Sequence, residues 1–112
     1  MALSDSPRSA LTFEEVRMVS PALERYTLDV AAGHLWKRPD LSSGDRSIVT
    51  LSALIARNQT IGMRRYINLA LESGLKSGEI SEIITHLAVY AGWSNAFSAV
   101  PVVKGVFESR PK

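Results

Sequence analysis

The chain of 112 residues has no cysteine. That excludes disulfides, a thiolate nucleophile, a CxxC redox pair and any thiolate-bound metal. Long apolar runs are missing as well: a membrane-spanning helix needs roughly 18 consecutive apolar residues, and the stretch from Leu87 to Trp93 is far shorter. No membrane partner is expected. Nor is there a marked excess of one charge, since 13 Lys and Arg against 11 Asp and Glu leave a net +2. Arg57, Arg64 and Arg65 come nearest to a basic cluster, but no stacking aromatics interleave them, so no nucleic-acid partner is expected either. A solvated helix face or a site for a small acidic ligand accounts for these arginines. Strand-like alternation, internal repeats and low-complexity tracts are absent.

Hydrophobic residues make up 46% of the chain and charged residues 21%, a composition and length suited to one domain with a modest core. Residues 1–11 are polar, carry Asp5 and Arg8, and lack the apolar centre of a signal peptide. They are expected to form a flexible arm ahead of a single domain over residues 12–112, and the expected location is the cytoplasm.

Periodicity and end signals predict an all-α fold of about six helices. Thr12-Phe13-Glu14-Glu15 reads as a capping box opening a short helix. Ser20-Pro21 restarts the chain as N-cap and first helical residue, and helical spacing of Leu23, Tyr26, Val30 and Gly33 carries the second helix to about His34. Pro39 holds Arg38 extended, so the segment Leu35 to Leu41 is a loop. A third helix from about Ser43 is apolar nearly all round, which predicts cover from neighbouring subunits and hence a homo-oligomer. Met63, Ile67, Ala70 and Leu71 form one stripe on a fourth helix that stops at Gly74. The fifth runs from near Ser77 to Gly92. The sixth is expected to take Ser94 as its cap and to be kinked by Pro101, whose ring meets the carbonyl of Phe97.

Chemistry-bearing side chains are few. Glu79, Glu82 and His86 share a face of the fifth helix; either Glu82 orients the imidazole for proton exchange with a ligand, or the pair is simply solvated. A metal is not expected there, because residues of one helix cannot surround an ion. His34 gains from its position near a helix C-terminus. Trp36 either covers a planar ligand or fills a gap. Arg46 precedes an apolar run, so its guanidinium needs a carboxylate partner, which is either a substrate or an internal Asp29 or Glu82.

Three segments occur together and in order: the WxRPxL loop Trp36-Lys37-Arg38-Pro39-Asp40-Leu41, the helix start Arg46-Ser47-Ile48-Val49-Thr50, and the HxxxYxG stretch His86 to Gly92. With Leu71-Glu72-Ser73-Gly74-Leu75 between them, the chain from about Tyr26 to Phe107 resembles the carboxymuconolactone decarboxylase family, within the wider alkylhydroperoxidase D-like group. The resemblance implies a helical subunit in a ring-like homo-oligomer, commonly a hexamer, and a reaction that needs no cofactor. That reaction removes CO2 from 4-carboxymuconolactone to give the 3-oxoadipate enol-lactone, in bacterial catabolism of aromatic acids. Mapped by motif, it implies Arg46 as the clamp for a small acidic substrate, His86 as proton donor with Glu82 orienting it, and Trp36, Arg38 and Tyr90 around the pocket.

Two departures bear on catalysis. His34 stands where these decarboxylases carry a Glu, and Tyr66 stands where they carry a His, so both belong among the candidate acid–base residues. A phenol can donate a proton but is a poor base at neutral pH. Ser94 replaces a proline expected after the YxG stretch. The peroxidase branch of the group uses a CxxC, and Gln59 and Gly62 occupy those positions, which excludes thiol-dependent peroxide chemistry by this chain. The sequence therefore points to a decarboxylase on a small cyclic acid or lactone. Hydrolysis or isomerisation of a related lactone and a non-catalytic acid-binding oligomer are its alternatives.

Overall fold

Thr12 opens the first helix as its capping box predicts. Its hydroxyl accepts from the Glu15 amide at 3.2 Å while the Glu15 carboxylate accepts from the Thr12 amide at 3.0 Å, giving α1 (Phe13–Val19). The computed structural model describes residues 12–110, so the expected arm over residues 1–11 lies outside them. Ser20 accepts from the Leu23 amide and Pro21 stands at the first position of α2 (Pro21–Tyr26). An Arg17–Glu24 ion pair at 3.1 Å ties the two short helices together.

The second helix does not run regularly to His34. Beyond Tyr26 it widens into a π-helical stretch, Thr27–Ala32. The Asp29 and Leu28 carbonyls come so close to Gly33 that a Cβ there would lie 2.5 and 2.9 Å from them. Only glycine tolerates this turn. A single 3-10 turn, Leu35–Lys37, then starts the expected loop.

The remaining helices form the body. These are α3 (Ser43–Ala56), α4 (Met63–Glu72), α5 (Ser77–Ala91) and α6 (Trp93–Ser109). Ser42 caps α3 by accepting from the Asp45 amide at 3.1 Å, and Gly74, at φ +106°, ends the segment after α4 in the left-handed conformation foreseen there. No strand occurs among the described residues, and the fold is all-α.

The cap of α6 differs from expectation. Gly92, at φ +106°, turns the chain and Trp93 is already helical, so Ser94 lies inside the first turn. Asn95 does the tying instead: its Nδ2 donates to the Ala91 carbonyl at 2.8 Å and to the Ala56 carbonyl at 3.0 Å. The ends of α3 and α5 are thereby joined to the start of α6. That helix continues on both sides of Pro101, which is exposed and leaves the Phe97 carbonyl without its usual amide.

Leu51 and Ile55 of α3, Met63, Ile67 and Ala70 of α4, Ile80 of α5, and Ala99, Val103 and Val106 of α6 make the core. The α4 stripe is the one its spacing predicts. On α3 the burial is one-sided in the single chain: Leu51 is 1% exposed but Val49 is 61% exposed. Tyr90 of α5 and Trp93, Phe97 and Val100 of α6 are exposed apolar side chains as well. No helix among the described residues is long and apolar enough to cross a membrane.

Replacing Asn95 by Ala removes both carbonyl contacts without opening the core. A loss of about 1–2 kcal/mol is expected from urea denaturation at fixed protein concentration. An unchanged midpoint would show that the α3–α5–α6 junction holds without it.

Candidate functional site

Because α4 turns Met63, Ile67 and Ala70 into the core, Arg65, Tyr66 and Leu69 fall on the flank that faces the N-terminal helices. There Tyr66 is half-buried and stacks with Trp36, ring centres 6.2 Å apart and planes at 23°. Arg65 holds its guanidinium 4.7 Å from the centre of the Phe13 ring, a distance suited to a cation–π contact.

Two cavities meet at this point. One, of about 500 Å³, reaches from Tyr66 to Val16, Leu23, Ile61 and Arg64; the other, of about 240 Å³, reaches to Trp36, Ala31, Ser43 and Leu69. Phe13, Thr27, Arg65 and Tyr66 line both, so they are two halves of one cleft between α4 and the N-terminal pair. Among the described residues no carboxylate lines either half, and the charged lining residues are Arg64 and Arg65.

His86 and Glu82 lie elsewhere. They line a groove of about 700 Å³ between α5 and the start of α3, together with Glu79, Asp45 and Leu87. Among the described residues its charged lining is acidic, with no Lys or Arg. Glu79 accepts from the Lys76 amide at 2.8 Å, closing the start of α5. Among the described residues no hydrogen bond joins Glu82 to His86. The imidazole stacks instead on Tyr90, ring centres 4.9 Å apart, and Tyr90 is 77% exposed. Although Asp45, Glu79, Glu82 and His86 share this groove, no group of three or more such residues among those described is arranged to hold a metal ion.

Arg46 pairs with neither Asp29 nor Glu82. Its Nε donates to the Leu41 carbonyl and its Nη2 to the Arg38 carbonyl, both at 3.2 Å. The guanidinium therefore braces the loop that presents Trp36. Arg38 points the other way and pairs with Asp40 at 3.1 Å on the surface. His34 is exposed and lines neither the cleft nor the groove.

Of the eight residues expected at a site, a single chain thus brings together Trp36 and Tyr66 in the cleft, and Glu82 and His86 in the groove with Tyr90 stacked on the imidazole. The first turn of α3 separates the two, with Ser43 on the cleft and Gly44 and Asp45 on the groove. Sequence reasoning missed Phe13 and Thr27, and named Arg65 only in a basic cluster read as a solvated helix face or a site for a small acidic ligand. Adjacency of Arg65 to the substituted position Tyr66 was the available signal. One turn after Ser43, Ser47 is fully buried and its hydroxyl has no hydrogen-bond partner among the described residues.

This six-helix, all-α architecture with an aromatic cleft beside α4 defines the class. Residues 21–105 match the model of the carboxymuconolactone decarboxylase family, and the chain belongs to that family. It is 31% identical over 78 residues to the 4-carboxymuconolactone decarboxylase of Acinetobacter baylyi, which covers 70% of this chain and 58% of that protein. It is also 31% identical over 74 residues to the nitrosuccinic acid decarboxylase npaB of Metarhizium robertsii, covering 66% of this chain and 52% of the relative. The chain thus spans a little over half the length of these curated relatives.

If Arg46 braces the loop, Arg46→Ala frees Trp36 from Tyr66. In a Trp93→Phe background the emission of Trp36 should shift to the red, with a stability loss of about 1–2 kcal/mol. Unchanged emission would remove this role.

Proposed function

We propose that this chain is a decarboxylase-like lyase acting on a small cyclic carboxylic acid, and that the acid binds in the cleft around Tyr66. Family membership and two relatives named as decarboxylases support the reaction class. The observation that carries the site is the charge of the two hollows. An anion is attracted to a cleft whose charged lining is Arg64 and Arg65, and repelled by a groove lined by Asp45, Glu79 and Glu82.

The chemistry follows from the substrate. Breaking the bond to the carboxylate carbon releases CO2 and leaves an electron pair, which moves onto a neighbouring carbonyl oxygen as an enolate. A proton must then be delivered to carbon. Hydrogen-bond donors near the developing oxyanion and a water-poor aromatic wall lower that barrier. Trp36 and Tyr66 supply the wall, and the Tyr66 hydroxyl is a donor within the cleft. His86 is the second donor. It reaches a cleft only from a neighbouring copy, and the exposed surface of Tyr90, Trp93, Phe97 and Val100 is the face a second copy would cover. A homo-oligomer, with a hexamer or trimer as its size, is part of the same proposal.

The test is a spectroscopic assay with 4-carboxymuconolactone on the pure protein beside Tyr66→Phe and His86→Ala. Turnover should fall by about 100-fold or more in whichever variant lacks the proton donor, with helicity retained in both. Lack of turnover by the folded wild-type protein would contradict the lyase reading on that substrate. It would favour the alternative of a non-catalytic acid-binding oligomer, for which the exposure of His34 and the separation of His86 from Tyr66 already speak.

A further inference from the structure

We infer that Arg65, rather than Arg46, is the residue that recognises the ligand's carboxylate, and that the ligand is a one-ring carboxylic acid whose flat face lies along Trp36 and Tyr66. The inference rests on the reading of the cleft as the acid-binding site. It deepens that reading by assigning the cation.

Three arginines compete for the role. Arg46 has two of its donors committed to the Leu41 and Arg38 carbonyls, and it lines neither half of the cleft. Arg64 lines the larger half alone, and its guanidinium rests on α6: a Cβ placed on Gly105 would lie 2.9 Å from its Nη2. Arg65 lines both halves. Among the described residues it makes no ion pair and no side-chain hydrogen bond. Its guanidinium sits over the Phe13 ring, a contact that leaves its N–H donors unused. A guanidinium above an aromatic ring still presents an N–H fork, the geometry that suits a carboxylate.

The surroundings agree in sign and in shape. The start of α4, which contributes Gly62 and Arg64 to the lining, has no acidic residue in its first turn and no side-chain cap, so its dipole adds to the positive potential. Beyond Arg65, the smaller half is bounded by Trp36, Tyr66 and Leu69 and is about 240 Å³. That half suits one small ring lying against the two aromatic side chains. Ser43 provides a hydroxyl at the same wall for a ring carbonyl, whereas the Thr27 hydroxyl is already donated to the Leu23 carbonyl.

The test uses 5-oxotetrahydrofuran-2-carboxylate and its neutral amide, titrated calorimetrically at low salt into the wild-type protein, Arg65→Met and Arg65→Lys. Met keeps an apolar stem against Phe13 and removes the charge. The wild type should prefer the acid over the amide by about tenfold or more. Arg65→Met should lose that preference while binding the amide within about twofold of wild type, and Arg65→Lys should restore part of it. Acid binding by Arg65→Met as tight as wild type would overturn the assignment, as would a wild-type protein that binds neither compound or does not distinguish them. Binding is read without turnover, so a failed decarboxylase assay leaves this result standing. Conversely, full turnover by Arg65→Met would remove the assignment and leave the lyase reading intact.

Discussion

Along α4, Met63, Ile67 and Ala70 are buried to within 1% exposure in one cluster with Leu51 and Ile55 of α3 and Val103 and Val106 of α6. A helix anchored by three such residues cannot rotate about its axis without exposing them, at a cost of about 1.5–3 kcal/mol for each large side chain. The positions between them are therefore fixed too. Arg65 and Tyr66 must face the N-terminal pair, and α1 and α2, which bury no side chain fully, must bridge a gap rather than fill it. The cleft is what remains when two short amphipathic helices lie across a rigid one. Among the described residues none of those lining it is fully buried.

Charge then separates what the helices have placed. The acidic groove and the cationic cleft lie on either side of the first turn of α3, and each has a coherent local reason. Glu79 closes the start of α5 through the Lys76 amide, and Asp45 sits in the first turn of α3, where the helix dipole favours a carboxylate. Those acids serve the helices that carry them. Arg64 and Arg65 stand in the first turn of α4, where a positive charge is opposed by the dipole. Their contacts lie off that helix, Arg65 over the Phe13 ring of α1 and Arg64 beside Gly105 of α6.

The fold was largely legible because its signals are local. Thr12 with Glu15, Ser20 with Pro21, and Gly74 each announce a helix end through bonds that span no more than a few residues, and each stands where its chemistry requires. The π-helical Thr27–Ala32 was not legible, since it depends on how closely the Asp29 carbonyl approaches Gly33. Ser94 misled because a good capping residue stood two positions after a glycine whose left-handed turn had already started the helix. The site was harder to read for the same reason. Trp36 and Tyr66 stood out as single residues, but their stacking joins positions 30 apart in sequence, and the Arg65–Phe13 contact joins positions 52 apart. Arg46 was read as needing a carboxylate, whereas two loop carbonyls satisfy it, and no pattern in a sequence marks a backbone carbonyl as available.

The central claim is that the acid binds in the cleft beside Tyr66 and not in the acidic groove of the same subunit. Titration of 5-oxotetrahydrofuran-2-carboxylate followed by NMR tests it most directly, with the Trp36 indole N–H and Arg65 side-chain signals reporting the cleft and the His86 ring protons reporting the groove. The account predicts saturable shifts at Trp36 and Arg65, with any movement of His86 following the same dissociation constant. Shifts confined to His86 and its neighbours on α5, with Trp36 and Arg65 silent, would contradict it.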